Sequence, residues 1–326
     1  MGRKVRNIPM KKDIHFLGHI MTPEEEVVNT EWFPRFNYFF INNYLKKHFN
    51  VISHKFTDKE YWPKIESLNL KLENYKTHPN LVTYVFPSES KAIIFTTYWN
   101  TSELYNNIKS IFKEYDTVVY SGHYNKRLLL GEWKGDMSEI KPWLFRPLRW
   151  ERPEATYNPV LSKLYFRGKF ISGPRSVLKN LMNINSEEID IKVNERDPDY
   201  FDICSQAKVS FNLSGIRDMC NRDIEFWSRG IPCIRPKFSC NLAIDIPDDI
   251  YIPVEFEGKP SAYGVKPDDN KEFCKRIIDK YNEVKNNTKL LNQVSKNARE
   301  FYNSNFTPEK ISEFSLKLLT NHFNYE

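Results

Sequence analysis

The sequence predicts an α/β protein of two domains facing a cleft, each with a largely parallel sheet. Three observations predict this class. Apolar runs of strand length alternate with amphipathic runs of helix length in both halves, the pattern of a parallel sheet with crossover helices. A stretch without period, Lys141 to Pro159, carries four prolines and three arginines between the halves. From Asn270 onward the pattern is helical, with Phe273, Ile277, Tyr281 and Val284 on one face.

In the first half, DIHFLGHI (13–20) reads as a strand, FNYFFINNYLKKHF (36–49) as a helix and KAIIFTTYW (91–99) as a buried strand. SELYNNIKSIFKEY (102–115) reads as an amphipathic helix and DTVVYSGHY (116–124) as a further strand. The second half begins with the strand KLYFRG (163–168), a turn SGPRS (172–176) and a helix through Leu181. The strand IDIKV (189–193) and a helix near DPDYFDICSQ (197–206) follow. Next comes a βαβ unit: the strand AKVSFNL (207–213), a loop, a helix starting near Arg222 and stopping at Gly230, and a strand from Ile231 to Ile234. Glycine suits the residue after a helix because it tolerates positive φ. The domains expected are residues 1–145 and 146–305, with 306–326 forming a terminal helix that packs back on the first.

Composition limits the partners. A chain of 326 residues with 40% hydrophobic residues can fill a core in each of two domains. Its 48 basic residues are scattered among 42 acidic ones for a formal charge of +6, which argues against a dedicated nucleic-acid stripe and permits an anionic small molecule. Five cysteines with no CxxC pair suggest a reducing compartment. The basic N-terminus has no apolar signal-peptide core, and no run has the length of a membrane span. A soluble, cytoplasmic protein is therefore expected.

The candidate chemistry lies at the carboxyl ends of the second-half strands, where open α/β sheets bind ligands. Arg222 falls in the first turn of its helix, so its guanidinium and the free amides of that turn converge on one spot that suits a diphosphate. Glu225 follows one turn deeper and could accept hydrogen bonds from two ribose hydroxyls. A surface ion pair between these two is the plain structural alternative. Arg167 ends the strand KLYFRG and Arg175 begins the next helix, directing more cationic groups at the same edge.

FRGKFISGPRS (166–176), FNLSGIRDMCNRDIEFWSRGIPCIRPK (211–237) and NAREFYNSNFTPEKISEFSLKLL (297–319) resemble the donor half and final helices of glycosyltransferases of the GT-B fold, in particular the exostosin-like and protein O-glucosyltransferase-like groups. The similarity covers roughly residues 163–320, and the Lys- and Asn-rich composition is also similar to glycosyltransferases of large DNA viruses. The resemblance implies two Rossmann-like domains, transfer of a hexosyl or pentosyl group to a hydroxyl of a glycan or glycoprotein, and a nucleotide-sugar donor, with UDP-sugar ahead of GDP-sugar. It implies no permanently bound cofactor and no required metal, because arginines and helix termini supply the positive charge. Carried over, Arg175 and Arg222 hold the diphosphate and Glu225 the ribose, with Arg167, Ser172, Ser214, Gly215 and Asn221 completing the donor set.

Asp197-Pro198-Asp199 matches the DxD of metal-dependent GT-A transferases, but Asp before Pro at a helix start favours a cap. A nucleotide- or glycan-binding module without turnover is the remaining alternative. For the catalytic base, His19 and His123 follow strands of the first half and rank ahead of Asp136 in the GEWKGD loop. GHIMTP around His19 resembles, with one extra residue, the GHxxP stretch that carries the base in some plant-type glycosyltransferases.

Overall fold

The computed structural model describes residues 11–20, 32–55, 81–96, 110–122, 140–144, 157–168, 173–184, 186–193, 200–213, 219–238, 243–261 and 264–324. The chain divides into two units, one of residues 1–121, 139–141 and 312–326 and the other of 122–138 and 142–311.

In the first unit, β1 (Asp13–Gly18) is followed by α1 (Trp32–Phe40), which widens to π-helical bonding over Ile41–Leu45 and ends at His48. Then come β2 (Asn50–Lys55), β3 (Leu81–Phe86), β4 (Lys91–Thr96), β5 (Asp116–Ser121) and β6 (Ile140–Pro142). They form one sheet in the order β2-β1-β3-β4-β5-β6. Pairing is parallel for β1/β2 and β4/β5, but β3 runs antiparallel to both β1 and β4. This corrects the largely parallel sheet expected for the first half. The cause is local: Pro87–Glu89 make a single 3-10 turn and Ser90 adopts a left-handed φ of 49°, so the chain reverses into a hairpin rather than crossing over.

The core of this unit is aromatic. Tyr84 meets Phe16, Phe40 and Phe95 edge-on, with ring centroids 5.4, 6.2 and 5.8 Å away. The C-terminal helix, Pro308–His322, brings Phe323 to stack on Phe86 with centroids 3.6 Å apart. Lys91 Nζ donates to the His322 carbonyl at 2.8 Å, and His322 Nε2 lies 3.0 Å from the Asp116 carbonyl oxygen.

The second unit contains β7 (Leu161–Gly168), a 3-10 turn over Gly173–Val177 that runs into α2 (Leu178–Met182), β8 (Ile189–Val193) and α3 (Tyr200–Gln206). Next are β9 (Ala207–Phe211), α4 (Asn221–Arg229), β10 (Cys233–Pro236) and β11 (Ile252–Val254). A two-stranded hairpin, β12 (Gly258–Ser261) and β13 (Gly264–Pro267), precedes α5 (Asn270–Val284) and α6 (Thr288–Asn305). The strand order is β8-β7-β9-β10-β11 and every pairing is parallel.

Alternate strand residues bury into opposite layers. Leu164, Phe166, Val209 and Phe211 pack with Leu178 and Leu181 of α2 and with Phe273, Ile277 and Tyr281 of α5. Tyr165, Ala207 and Cys233 join Cys204 of α3 and Phe226 of α4 on the other face. Buried apolar positions on both faces give the near-continuous apolar runs from which these strands are legible. Helix α4 stops where the sequence predicts, at Gly230 with φ of 65°. Among the described residues no helix is long and apolar enough to cross a membrane.

Candidate functional site

The strand order fixes where a ligand can sit. From β7 the chain moves to β8 on one side, then passes to β9 on the other, so the order reverses between β7 and β9. In open α/β sheets such a reversal, at the carboxyl ends of the strands, is where ligands bind. Arg175 follows β7 and Arg222 follows β9, so topology brings both to this switch point.

Arg222 is the second residue of α4. Its guanidinium lies 4.7 Å from the centroid of the Phe166 ring and 5.3 Å from that of Tyr200. Its Nη2 donates to the Arg167 carbonyl at the end of β7. Nε and Nη1 are buried and find no hydrogen-bond partner among the described residues. Gly168 makes this approach possible, since a Cβ there would stand 3.2 Å from Arg222 Nη2 and 2.9 Å from Phe166 Cζ. Burial works against the Arg222 charge, but Tyr200, Cys220, Glu225 and Cys204 more than compensate, and its pKa lies above the ordinary arginine value.

Arg175 is only 6% exposed. Its Nη2 donates to the Leu213 carbonyl at 3.3 Å, just past β9, and its guanidinium lies 5.9 Å from the Phe166 ring centroid. Burial first, and then the Arg222 charge, push its pKa below the ordinary value, against the pull of Cys220 and Asp223. Arg222, whose Nε and Nη1 have no hydrogen-bond partner among the described residues, and Arg175 near the same ring put two cations at one switch point, an arrangement able to hold an anion.

The start of α4 is held by a network the sequence reading did not identify. Asp223 Oδ2 accepts from the Cys220 backbone N–H at 2.8 Å, closing a capping box at the helix start. Asp223 Oδ1 accepts from Asn212 Nδ2 at 2.6 Å and from Arg235 Nη1 at 2.8 Å. Arg235 stacks over the Phe238 ring, its Cζ 3.1 Å from the centroid. Two signals could have revealed this: an arginine inside the apolar strand IPCIRPK, which needs a buried counter-charge, and an aspartate three residues after the residue preceding the helix.

The other expected site residues divide into three groups. Glu225 is half-buried one turn after Arg222, and its carbonyl accepts from Ser228 Oγ at 3.0 Å; Asn221 opens the helix. Arg167, expected as a donor-binding cation, is instead paired with Asp190 on β8, Nη2 to Oδ1 at 2.7 Å, and also donates to the Asp190 carbonyl at 3.0 Å. The Arg167 carbonyl in turn accepts from Arg222 Nη2. His19 lies after β1 in the first unit, with its carbonyl accepting from Asn37 Nδ2 at 3.0 Å. Ser172, Ser214, Gly215, His123, Asp136, Asp197 and Asp199 lie outside the described residues.

No protein-family model matches the chain, and no curated protein matches it. Among solved structures it is similar to a glycosyltransferase from Rickettsia africae ESF-5, over 87% of this chain and 88% of the other, with 12% identity and a TM-score of 0.43. A likeness that shallow assigns neither fold nor activity.

Proposed function

We propose that the switch point of the second unit binds the diphosphate of a nucleotide sugar and that the protein transfers its glycosyl group to a hydroxyl acceptor. The observation that carries this reading is Arg222, whose buried Nε and Nη1 have no partner among the described residues, while the Arg175 guanidinium lies near the same Phe166 ring. Unpaired N–H groups of a buried cation are costly, and a phosphate oxygen satisfies them with charge-assisted bonds. The same clamp stabilises the charge that develops on a departing nucleoside diphosphate, which is the electrostatic demand of glycosyl transfer.

The resemblance of residues 166–176 and 211–237 to nucleotide-sugar transferases supports the sugar part of this reading and the assignment of Glu225 to the ribose. UDP-sugar stands ahead of GDP-sugar on the same ground. In the first unit, His19 follows a strand end and is the described candidate for the group that takes the acceptor proton.

The test is calorimetric titration with UDP, GDP, the free nucleosides and a panel of nucleotide sugars, each with and without EDTA. Diphosphates should bind at least tenfold more tightly than nucleosides, as about 1.5–3 kcal/mol for a charged hydrogen bond requires. Equal affinity for nucleoside and diphosphate would remove the clamp from the reading. Tight binding without turnover over the sugar panel would leave a nucleotide-binding module, and abolition by EDTA would favour the metal-dependent alternative through Asp197 and Asp199.

A further inference from the structure

Behind the two arginines of the clamp lies a third, Arg235, which points its charge at a carboxylate instead of the switch point. Arg235 and Asp223 are 1% and 2% exposed, and their ion pair of 2.8 Å is as buried as the core around it. Asp223 is also one of the charges acting on Arg175. It is therefore bonded to one cation, Arg235 in the sheet, and acts electrostatically on another, Arg175.

The geometry ties this pair to the site through three short connections. Asp223 bonds the Cys220 N–H and so fixes the first turn of α4, which carries Arg222 as its second residue. Asp223 holds Asn212, which directly follows β9 and precedes Leu213, the residue whose carbonyl receives Arg175. Asn212 in turn donates its backbone N–H to the Ile234 carbonyl of β10 at 3.0 Å, next to Arg235. The start of α4, the end of β9 and β10 are thus braced at one carboxylate.

Resting on the diphosphate reading, we propose that Asp223 and Arg235 are positioning residues of that site: Asp223 clamps the start of α4 against the end of β9, and Arg235 cancels its charge so that Arg175 and Arg222 keep a positive field. The bracing needs an acceptor at position 223, and a carboxylate accepts from all three donors at once. The cancellation matters because an uncompensated negative charge in a low-dielectric interior opposes anion binding at the neighbouring guanidinium.

The experiment measures binding of inorganic pyrophosphate, UDP and uridine to the full chain as wild type, Arg235→Met and Arg235→Met/Asp223→Asn, with the melting temperature of each. Methionine keeps an apolar stem against Phe238 and removes the charge. Arg235→Met should lose about tenfold or more in affinity for pyrophosphate and UDP with uridine unchanged, because a charge acts on a charged ligand. The double variant should regain most of that affinity, since it removes the stranded carboxylate while keeping an acceptor for the Cys220 N–H. It carries no unpaired buried charge, so it tests the proposal even where the single variant fails to fold. A double variant as weak as Arg235→Met, or a foldable Arg235→Met that binds both diphosphates like wild type, overturns the role of the pair alone. A wild type that binds neither pyrophosphate nor UDP overturns the diphosphate reading itself, and this role with it.

Discussion

At the scale of single residues, the second unit uses its arginines for two different purposes, and burial does not separate them. Arg167, Arg175 and Arg235 are 7%, 6% and 1% exposed. Arg167 is paired with Asp190 and Arg235 with Asp223, while Arg175 donates to the Leu213 carbonyl and Arg222 to the Arg167 carbonyl. Nε and Nη1 of Arg222 have no hydrogen-bond partner among the described residues, which leaves them able to meet an anion. Replacing Arg222 by Ala should raise the Kd of UDP by one to two orders of magnitude, the equivalent of about 1.5–3 kcal/mol, and leave that of uridine unchanged. Calorimetry with both ligands checks it, and parallel losses would make Arg222 a packing residue between Phe166 and Tyr200. Replacing Glu225 by Gln should weaken a ribonucleotide more than its 2′-deoxy analogue, because the carboxylate accepts both hydroxyl protons while the amide offers one oxygen. Matching losses for the two sugars would return Glu225 to the plain role of a helix residue.

At the scale of elements, termination and pairing carry testable consequences. Gly230 ends α4 at positive φ, and a Cβ there would lie 2.8 Å from the Ser295 carbonyl oxygen of α6. Gly230→Ala should therefore cost more than the roughly 1–2 kcal/mol of a left-handed residue alone, read as a lowered denaturation midpoint. In the first unit, His15 on β1 and His54 on β2 place Nδ1 and Nε2 2.9 Å apart with their rings stacked. Burial lowers both pKa values from 6.5, against the pull of Asp13 on His15, and His15 lowers His54 further. The depressed values mean that the unfolded chain binds protons first as pH falls. The stability contributed is thus fully present above about pH 6.5 and is lost as pH drops through the folded-state values. Urea unfolding between pH 7.5 and 5 should show this decline, and His15→Gln/His54→Gln should flatten it; an unchanged slope would show that the pair does not titrate on folding. The strand–turn–helix–strand run from Ala207 to Pro236 was legible because its strands are buried on both faces and its helix has a glycine stop. The antiparallel β3 was not, because LVTYVF has the same apolar character whichever neighbour it pairs with and in whichever direction.

At the scale of the molecule, the first unit is assembled from both ends of the chain, residues 1–121 and 312–326 among them. Leu319 and Phe323 are fully buried, and Phe323 stacks on Phe86 beside the β3–β4 turn. Phe323→Ala should cost about 3–5 kcal/mol, in the range of a large aromatic deleted from a core. It should unfold the first unit before the second, read by amide exchange over β3 and β4. A loss under 1 kcal/mol would mean that the last residues do not complete this core.

Most elements of the second unit, the glycine that ends α4, and the placing of Arg175 and Arg222 after strand ends are legible in the sequence, whereas the short strands between Ile252 and Pro267 are not. The legible features are local properties, set by apolar period, by backbone freedom and by the order of residues along a few turns. That β7 and β9 are neighbours where the strand order reverses, bringing Arg175 and Arg222 to one edge of the sheet, emerges only from the tertiary structure. It also decided that Arg167 belongs to Asp190 and Arg235 to Asp223. Those partners lie 23 and 12 residues away, on other elements, and a charge selects its counter-charge by distance in space, which the spacing along the chain does not encode.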